Sequence, residues 1–224
     1  MNTINIKMIQ EVATALKQLN QEVVFVGGST VALYLDPETS TDIRPTDDVD
    51  LIIEVLTAAK YSALSEKLMK LRFTPDRKIN APICRWKYLG ITVDIMPLDE
   101  SILGFSNKYY KTGFLYKEEF VLPNGEKIFI LPFAYFLATK LEAYFNRGVN
   151  DPRFSKDLED IVTLLSDVKD FQTIFSHEEI LENLRSLLKS LLDDEKAIEA
   201  MRAFMQNSIP GQFDILVERA KLIK

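Results

Sequence analysis

Residues 48–53, Asp-Val-Asp-Leu-Ile-Ile, set two carboxylates two positions apart at the head of an apolar run. Side chains alternate across a strand, so on a strand Asp48 and Asp50 point to one face. The segment then reads as a strand with a polar start and a buried end. Two carboxylates side by side repel, unless a cation lies between them or one is protonated. Asp47 would fall on the opposite face from Asp48, so the pair that matters is Asp48 and Asp50.

A third acid sits in a similar setting. Asp94 lies within Gly90-Ile-Thr-Val-Asp-Ile-Met96, another apolar strand. Three carboxylates on neighbouring strands make an oxygen-ligand site for two divalent ions. Such ions can clamp the attacking and leaving oxygens of a phosphoryl displacement. Composition favours a hard ion. The chain has one cysteine and one histidine, which excludes a cysteine-based zinc site, an iron–sulfur cluster and a disulfide framework. A metal here, if any, would be held by carboxylates and would be a hard ion such as Mg²⁺.

Upstream, Glu22-Val-Val-Phe-Val26 reads as a short strand, Gly27-Gly28-Ser29 as a turn, and Thr30–Leu35 as a helix. Glycines let a backbone approach a phosphate, and a helix N-terminus offers free N–H groups. Ser29 adds a hydroxyl, which caps the helix or meets a phosphate oxygen. A Gly-Gly pair alone is usually a turn, and a lone D-x-D is usually a solvated strand end. The ordered set of Gly-Gly-Ser, D-x-D and a later strand acid is far more specific.

The first ~130 residues read as mixed α/β. A helix spans Thr3–Leu19 and another Thr57–Leu71. Strands Arg85–Tyr88 and Ile91–Met96 are joined around Gly90. Glu118–Leu122 and Lys127–Leu131 flank Pro123-Asn124-Gly125, a hairpin signal because Asn-Gly accepts positive φ. From Pro132 onward the chain reads as helical: 133–146, a helix starting near Asp151-Pro152 or at Ser155 and running to Leu165, 177–192, 195–205 and 213 to the end. The division expected is a domain of residues 1–131 and a helical domain of residues 132–224.

The stretch VFVGGSTVALYL…RPTDDVDLII…ITVDIM resembles the polymerase-β-type nucleotidyltransferase superfamily. Further along, Thr139-Lys140-Leu-Glu-Ala143 and Lys156-Asp157-Leu-Glu-Asp160-Ile161 resemble the K-x-x-A and D-x-x-D helices of the AbiEii/AbiGii-type (MenT-like) nucleotidyltransferases. Arg44-Pro-Thr46 resembles their R-x-T stretch before D-x-D. The resemblance runs from about Val23 to Leu165, and the later residues match no named pattern. It departs at Lys156, where the family has arginine, and in a longer 36–46 loop.

The resemblance implies an α+β fold: a nucleotidyltransferase-type mixed sheet with flanking helices, followed by a C-terminal helical bundle that contributes to the active-site cleft. It implies that Asp48, Asp50 and Asp94 bind two Mg²⁺ ions, and that Asp94 favours deprotonation of the acceptor hydroxyl. Gly27, Gly28 and Ser29 would hold the terminal phosphates of an NTP, with Lys140 and Arg44 also contacting the nucleotide. Lys140 and Asp157 are carried over as catalytic residues, and Arg147 and Asp160 as weaker candidates. The implied activity is NMP transfer to an acceptor hydroxyl, toxin-like, on RNA such as the 3′ end of tRNA or on protein, with an antitoxin as partner. Competing expectations are an antibiotic (aminoglycoside-like) nucleotidyltransferase and a catalytically silent nucleotide-binding or assembly module.

Each residue also has a bland reading. Lys140 could be an ordinary exposed helix lysine, and Asp157 a first-turn acid favoured by the helix dipole. Cys84 reads as buried rather than reactive. Trp86, Tyr109 and Tyr110 read as packing or as base-stacking rings. His177 reads as a helix start. The net charge of −6 argues against an all-over nucleic-acid coat. Between Glu66 and Lys117, however, ten bases meet five acids. That excess is a mixed-sign surface or a lane for an anionic substrate. No signal peptide or membrane span is read, so the default expectation is a cytoplasmic, reduced protein without membrane contact.

Overall fold

The computed structural model describes all residues except 1–2, 20–21, 37–42, 56, 105, 207, 209 and 224. In chain order the elements are α1 (Thr3–Leu16), β1 (Val23–Val26), α2 (Val31–Tyr34), β2 (Asp48–Ile53), α3 (Ala58–Lys70), β3 (Thr74–Pro75), β4 (Arg85–Tyr88), β5 (Ile91–Pro97), α4 (Glu100–Leu103), α5 (Tyr110–Leu115), β6 (Glu118–Val121) and β7 (Lys127–Ile130). Then come α6 (Phe133–Arg147), α7 (Lys156–Asp167), α8 (Glu178–Leu192), α9 (Glu195–Phe204) and α10 (Gln212–Leu222). The fold is α+β, a mixed sheet with flanking helices.

The chain divides into two compact units, Met1–Ala32 with Arg44–Leu131, and Leu33–Ile43 with Pro132–Lys224. The first unit holds a seven-stranded sheet of order β3-β4-β5-β2-β1-β7-β6. β2 runs parallel to β5 and β1 runs parallel to β7, while the other neighbours are antiparallel. The central strands carry the core: Val24, Phe25, Val49, Leu51, Ile52, Val93 and Ile95 are buried. Beyond Asp50 the alternation in β2 stops, and Leu51, Ile52 and Ile53 are all buried. A strand covered on both faces shows that loss of period.

Local chemistry fixes the connections. Thr57 caps α3 by accepting a hydrogen bond from the Lys60 N–H at 3.2 Å. At the Asn124-Gly125 turn, Gly125 adopts φ 84° and the Leu122 N–H donates to the Glu126 carbonyl at 2.8 Å. β3, α4 and α5 have no counterpart in the sequence reading. They span two, four and six residues, too short for a period to register. The expected 30–35 helix begins instead as a 3-10 turn over Gly28–Thr30. Most of the 36–46 loop lies outside the described residues.

The second unit is helical. The first turns of α6 are wholly buried, from Phe133 to Leu141. α7 begins under a cap in which Ser155 Oγ accepts from the Leu158 N–H. Leu33–Ile43, assigned from sequence to the first domain, clusters with this unit. Tyr34 stacks on Phe136 with ring centroids 4.5 Å apart, Leu35 bridges Val168, and the Lys169 N–H donates to the Tyr34 carbonyl at 3.0 Å. Among the described residues no helix is long and apolar enough to cross a membrane.

Candidate metal centre

The register of the sheet builds the site. Asp50 of β2 lies opposite Val26 of β1 on one side and Asp94 of β5 on the other. Asp94 in turn lies opposite Arg85 of β4. Residues directly opposite share a face, so one row across the sheet reads Val26, Asp50, Asp94, Arg85. Two residues away along the strands, a second row reads Asp48, Thr92, Lys87. Acids on the inner strands therefore border bases on β4.

One carboxylate oxygen from each of Asp48, Asp50 and Asp94 lies within 4.8 Å of the other two. Asp48 and Asp50 are half-buried and Asp94 is buried. The donor set is all oxygen and could hold a metal ion; its chemistry suits a hard divalent cation. Backbone shape fits as well. Gly27 sits at φ 77° and ψ −170°, a conformation that is essentially glycine-only. A Cβ there would collide with the Asp50 carboxylate. Glycine at position 27 thus leaves the room that Asp50 occupies.

Asp94 is held on both oxygens. Arg85 Nε donates to Oδ1 at 2.8 Å and Nη2 donates to Oδ2 at 2.6 Å. This is the bidentate fork typical of arginine and carboxylate. The Asp94 hydrogen bonds push the Arg85 pKa above its ordinary value, against the opposing effect of burial, and Asp48 adds to the rise. Lys87 Nζ donates to Thr92 Oγ1 at 2.5 Å and lies 3.9 Å from Asp76. Beside the row, burial pushes the Cys84 thiol up to about 11, and the Asp94 charge adds to the rise. Cys84 is buried, as expected.

The loop that enters β2 is anchored by a residue that the sequence reading passed over. Asn5 of α1 is fully buried. Its Oδ1 accepts from the Thr46 N–H at 3.0 Å, and its Nδ2 donates to the Arg44 carbonyl at 3.2 Å. Thr46 Oγ1 donates to the Asp48 carbonyl at 3.2 Å. Arg44 and Thr46 are thereby tied to the strand carrying the first two acids. Asn5 gives no signal in the sequence, because a polar residue near a chain start reads as surface.

Ser29 is fully buried and its Oγ has no hydrogen-bond partner among the described residues. It does not cap the following helix; instead Thr30 Oγ1 donates to the Gly27 carbonyl at 2.9 Å. Trp86 and Tyr109 are buried packing residues, while Tyr110 is half-buried.

The remaining candidates belong to the second unit, where they pair across α6 and α7. Lys140 Nζ donates to Asp160 Oδ2 at 2.6 Å, and both side chains are buried. Arg147 Nε and Nη2 donate to the two oxygens of Asp157 at 2.7 and 3.0 Å. Lys140 is therefore not the exposed helix lysine of the bland reading. His177 stands at the start of α8, with Nδ1 3.6 Å from Glu179. A cavity of about 830 Å³ opens between α8, α9 and α10, lined by Arg185, Lys189, Arg202, Phe213 and Val217 among others. It contains none of the candidate site residues.

Comparison with protein-family models found no match, and comparison with curated proteins found none. Solved structures do match. An antigenic nucleotidyltransferase-like protein from Paracoccidioides brasiliensis superposes with a TM-score of 0.53 at 18% identity, over 96% of this chain and 93% of that one. The antibiotic-resistance factor ANT(2'')-Ia in solution gives 0.47 at 14% identity, over 85% and 94%. Its crystal structure with adenylyl-2''-tobramycin gives 0.43 at 13% identity, over 92% and 100%. The fungal structure bears on the fold, which is nucleotidyltransferase-like.

Proposed function

We propose that the chain is a divalent-metal-dependent nucleotidyltransferase. The observation that carries this is the carboxylate cluster itself: Asp48, Asp50 and Asp94, within 4.8 Å on adjacent strands, beside a glycine whose missing side chain makes the room. In the reaction an acceptor hydroxyl oxygen bonds to the α-phosphorus of an NTP. The bond from that phosphorus to the bridging oxygen breaks, and pyrophosphate leaves.

Asp48, Asp50 and Asp94 would hold Mg²⁺, two ions in the full complex. When bound, the ions supply charge neutralisation at the attacking and leaving oxygens. On the family resemblance, Asp94 would favour loss of the acceptor hydroxyl's proton. The Gly27–Ser29 turn offers backbone N–H groups to the triphosphate. Arg44, Lys140 and Asp157 are proposed contributors on the strength of the family resemblance. That resemblance also supports a toxin-like enzyme with an RNA acceptor, such as the 3′ end of tRNA, and a protein antitoxin as partner.

The test is incubation of purified protein with each labelled NTP and Mg²⁺, together with total tRNA, protein extract or aminoglycosides. Label on RNA supports the transferase and its RNA acceptor. Label on protein or aminoglycoside alone keeps the transferase and overturns the RNA acceptor. No transfer with any mixture, together with no metal-dependent NTP binding by calorimetry, overturns the enzyme.

A further inference from the structure

Arg85 has no place in the reaction just proposed, yet it takes both oxygens of one of the three acids. A cross-strand ion pair needs no further explanation where it stands alone. Here the pair ends a row that includes Asp50, and Asp48 lies on the same face. Three carboxylates within 4.8 Å repel strongly. Of the two β4 bases facing this cluster, Arg85 is the one that bonds directly to an acid, while Lys87 bonds Thr92.

We infer that Arg85 is the resident counter-ion of the carboxylate cluster, a positioning residue that competes with a divalent cation for Asp94. This rests on the metal-centre reading above. With the guanidinium in place the cluster carries two net negative charges rather than three. A divalent ion must share Asp94 with the Arg85 fork, or draw Asp94 away from it, and it meets a positive charge there. Arg85 therefore weakens ion binding while stabilising the ion-free sheet. Arginine suits the task better than lysine, because its planar fork engages both oxygens and stays charged at any working pH.

The experiment is calorimetric titration of the full chain with Mn²⁺, in the absence of nucleotide, for wild type, Arg85→Gln and Arg85→Lys. It is paired with melting temperatures with and without the ion. Arg85→Gln is expected to bind Mn²⁺ at least about tenfold more tightly, since it removes a nearby positive charge. It should melt lower than wild type without the ion, and the gap should narrow at saturating Mn²⁺. Arg85→Lys, which keeps the charge and loses the fork, should fall between the two.

Equal or weaker Mn²⁺ affinity in Arg85→Gln overturns the inference and leaves the metal centre standing. A melting gap of the same size with and without Mn²⁺ means a purely structural ion pair, which also overturns it. Absence of Mn²⁺ binding in all three proteins removes the metal centre itself, and the inference with it. If Arg85→Gln fails to fold, Arg85→Lys carries the comparison: tighter binding than wild type supports the inference, and unchanged binding defeats it.

Discussion

Gly27 and Asp50 occupy one another's space: the carboxylate of Asp50 fills the volume where any side chain on residue 27 would begin. Asp50 lies on β2, and Gly27 follows the end of the antiparallel neighbour β1, one step past the Val26–Asp50 pair. Gly27→Ala is expected to cost about 2 kcal/mol or more, from a glycine-only backbone geometry plus the collision. Gly90→Ala is the matched control. Gly90 also has positive φ, at 86°, but a Cβ there meets nothing within 4 Å. It should cost about 1 kcal/mol. Urea denaturation of the two variants checks the difference; equal losses would mean that Asp50 yields freely.

Neutralising one acid should separate stability from activity. Asp48→Asn removes a charge from a crowded cluster, so the ion-free protein should melt at the same temperature or higher. NMP transfer and triphosphate binding should both fall by at least about a thousandfold, as expected for loss of a group that stabilises transition-state charge. Melting curves and a labelled-NTP assay decide this together. Retained transfer in Asp48→Asn would remove that residue from the metal centre.

Lys140 and Asp160 form a buried pair between α6 and α7. Removing one partner breaks a buried charge pair, which costs about 3–5 kcal/mol. Lys140→Met is therefore expected to be strongly destabilised. The double variant Lys140→Met with Asp160→Leu should recover most of that loss, because apolar replacement of both partners is often close to neutral. A double-mutant cycle in urea measures the coupling. Additive losses would show that the two charges do not depend on each other.

Alkaline pH should destabilise the first unit through two protons. Burial pushes the Cys84 thiol up to about 11 from its ordinary 9.0, and the Tyr61 hydroxyl up to about 12 from 10.0. In both the folded state prefers the protonated form. Their contribution to stability is thus full below pH 9 and is lost as pH rises to about 12. Melting temperature against pH should fall across that window, and fall less in Cys84→Ala. For the same reason Cys84 should resist thiol reagents at pH 8 until the chain unfolds.

Much of the site was legible because its signals are local. The two-residue spacing of Asp48 and Asp50 determines a shared face on any strand. Asp94 was legible as a polar position in an apolar run, and the sheet pairs it with Asp50. Arg85 was not legible as a member, because its role depends on the register between β4 and β5 across the Gly90 turn. Asn5 was hidden for a related reason: its partners Arg44 and Thr46 lie far along the chain. The burial of Lys140 also escaped, since its spacing suits an exposed helix face as well as a buried one. The contacts of Tyr34 and Leu35 were not legible either, because their partners Phe136, Val168 and Lys169 lie a hundred residues or more away.

The pairing of Arg85 with Asp94 has a consequence for how the sheet assembles. β4 and β5 form a tight local hairpin, whereas β5 reaches β2 only across an intervening helix and two strands. Local contacts generally form before distant ones. An Asp94 that pairs with Arg85 first would reach Asp48 and Asp50 as part of a neutral pair. The register also decides whether the cluster forms. A slip of one residue turns Asp94 to the far side of the sheet, where a hard cation can no longer bridge it to Asp50. An ion added during refolding would thus bind only the chains in which β2 and β5 have met in the right frame.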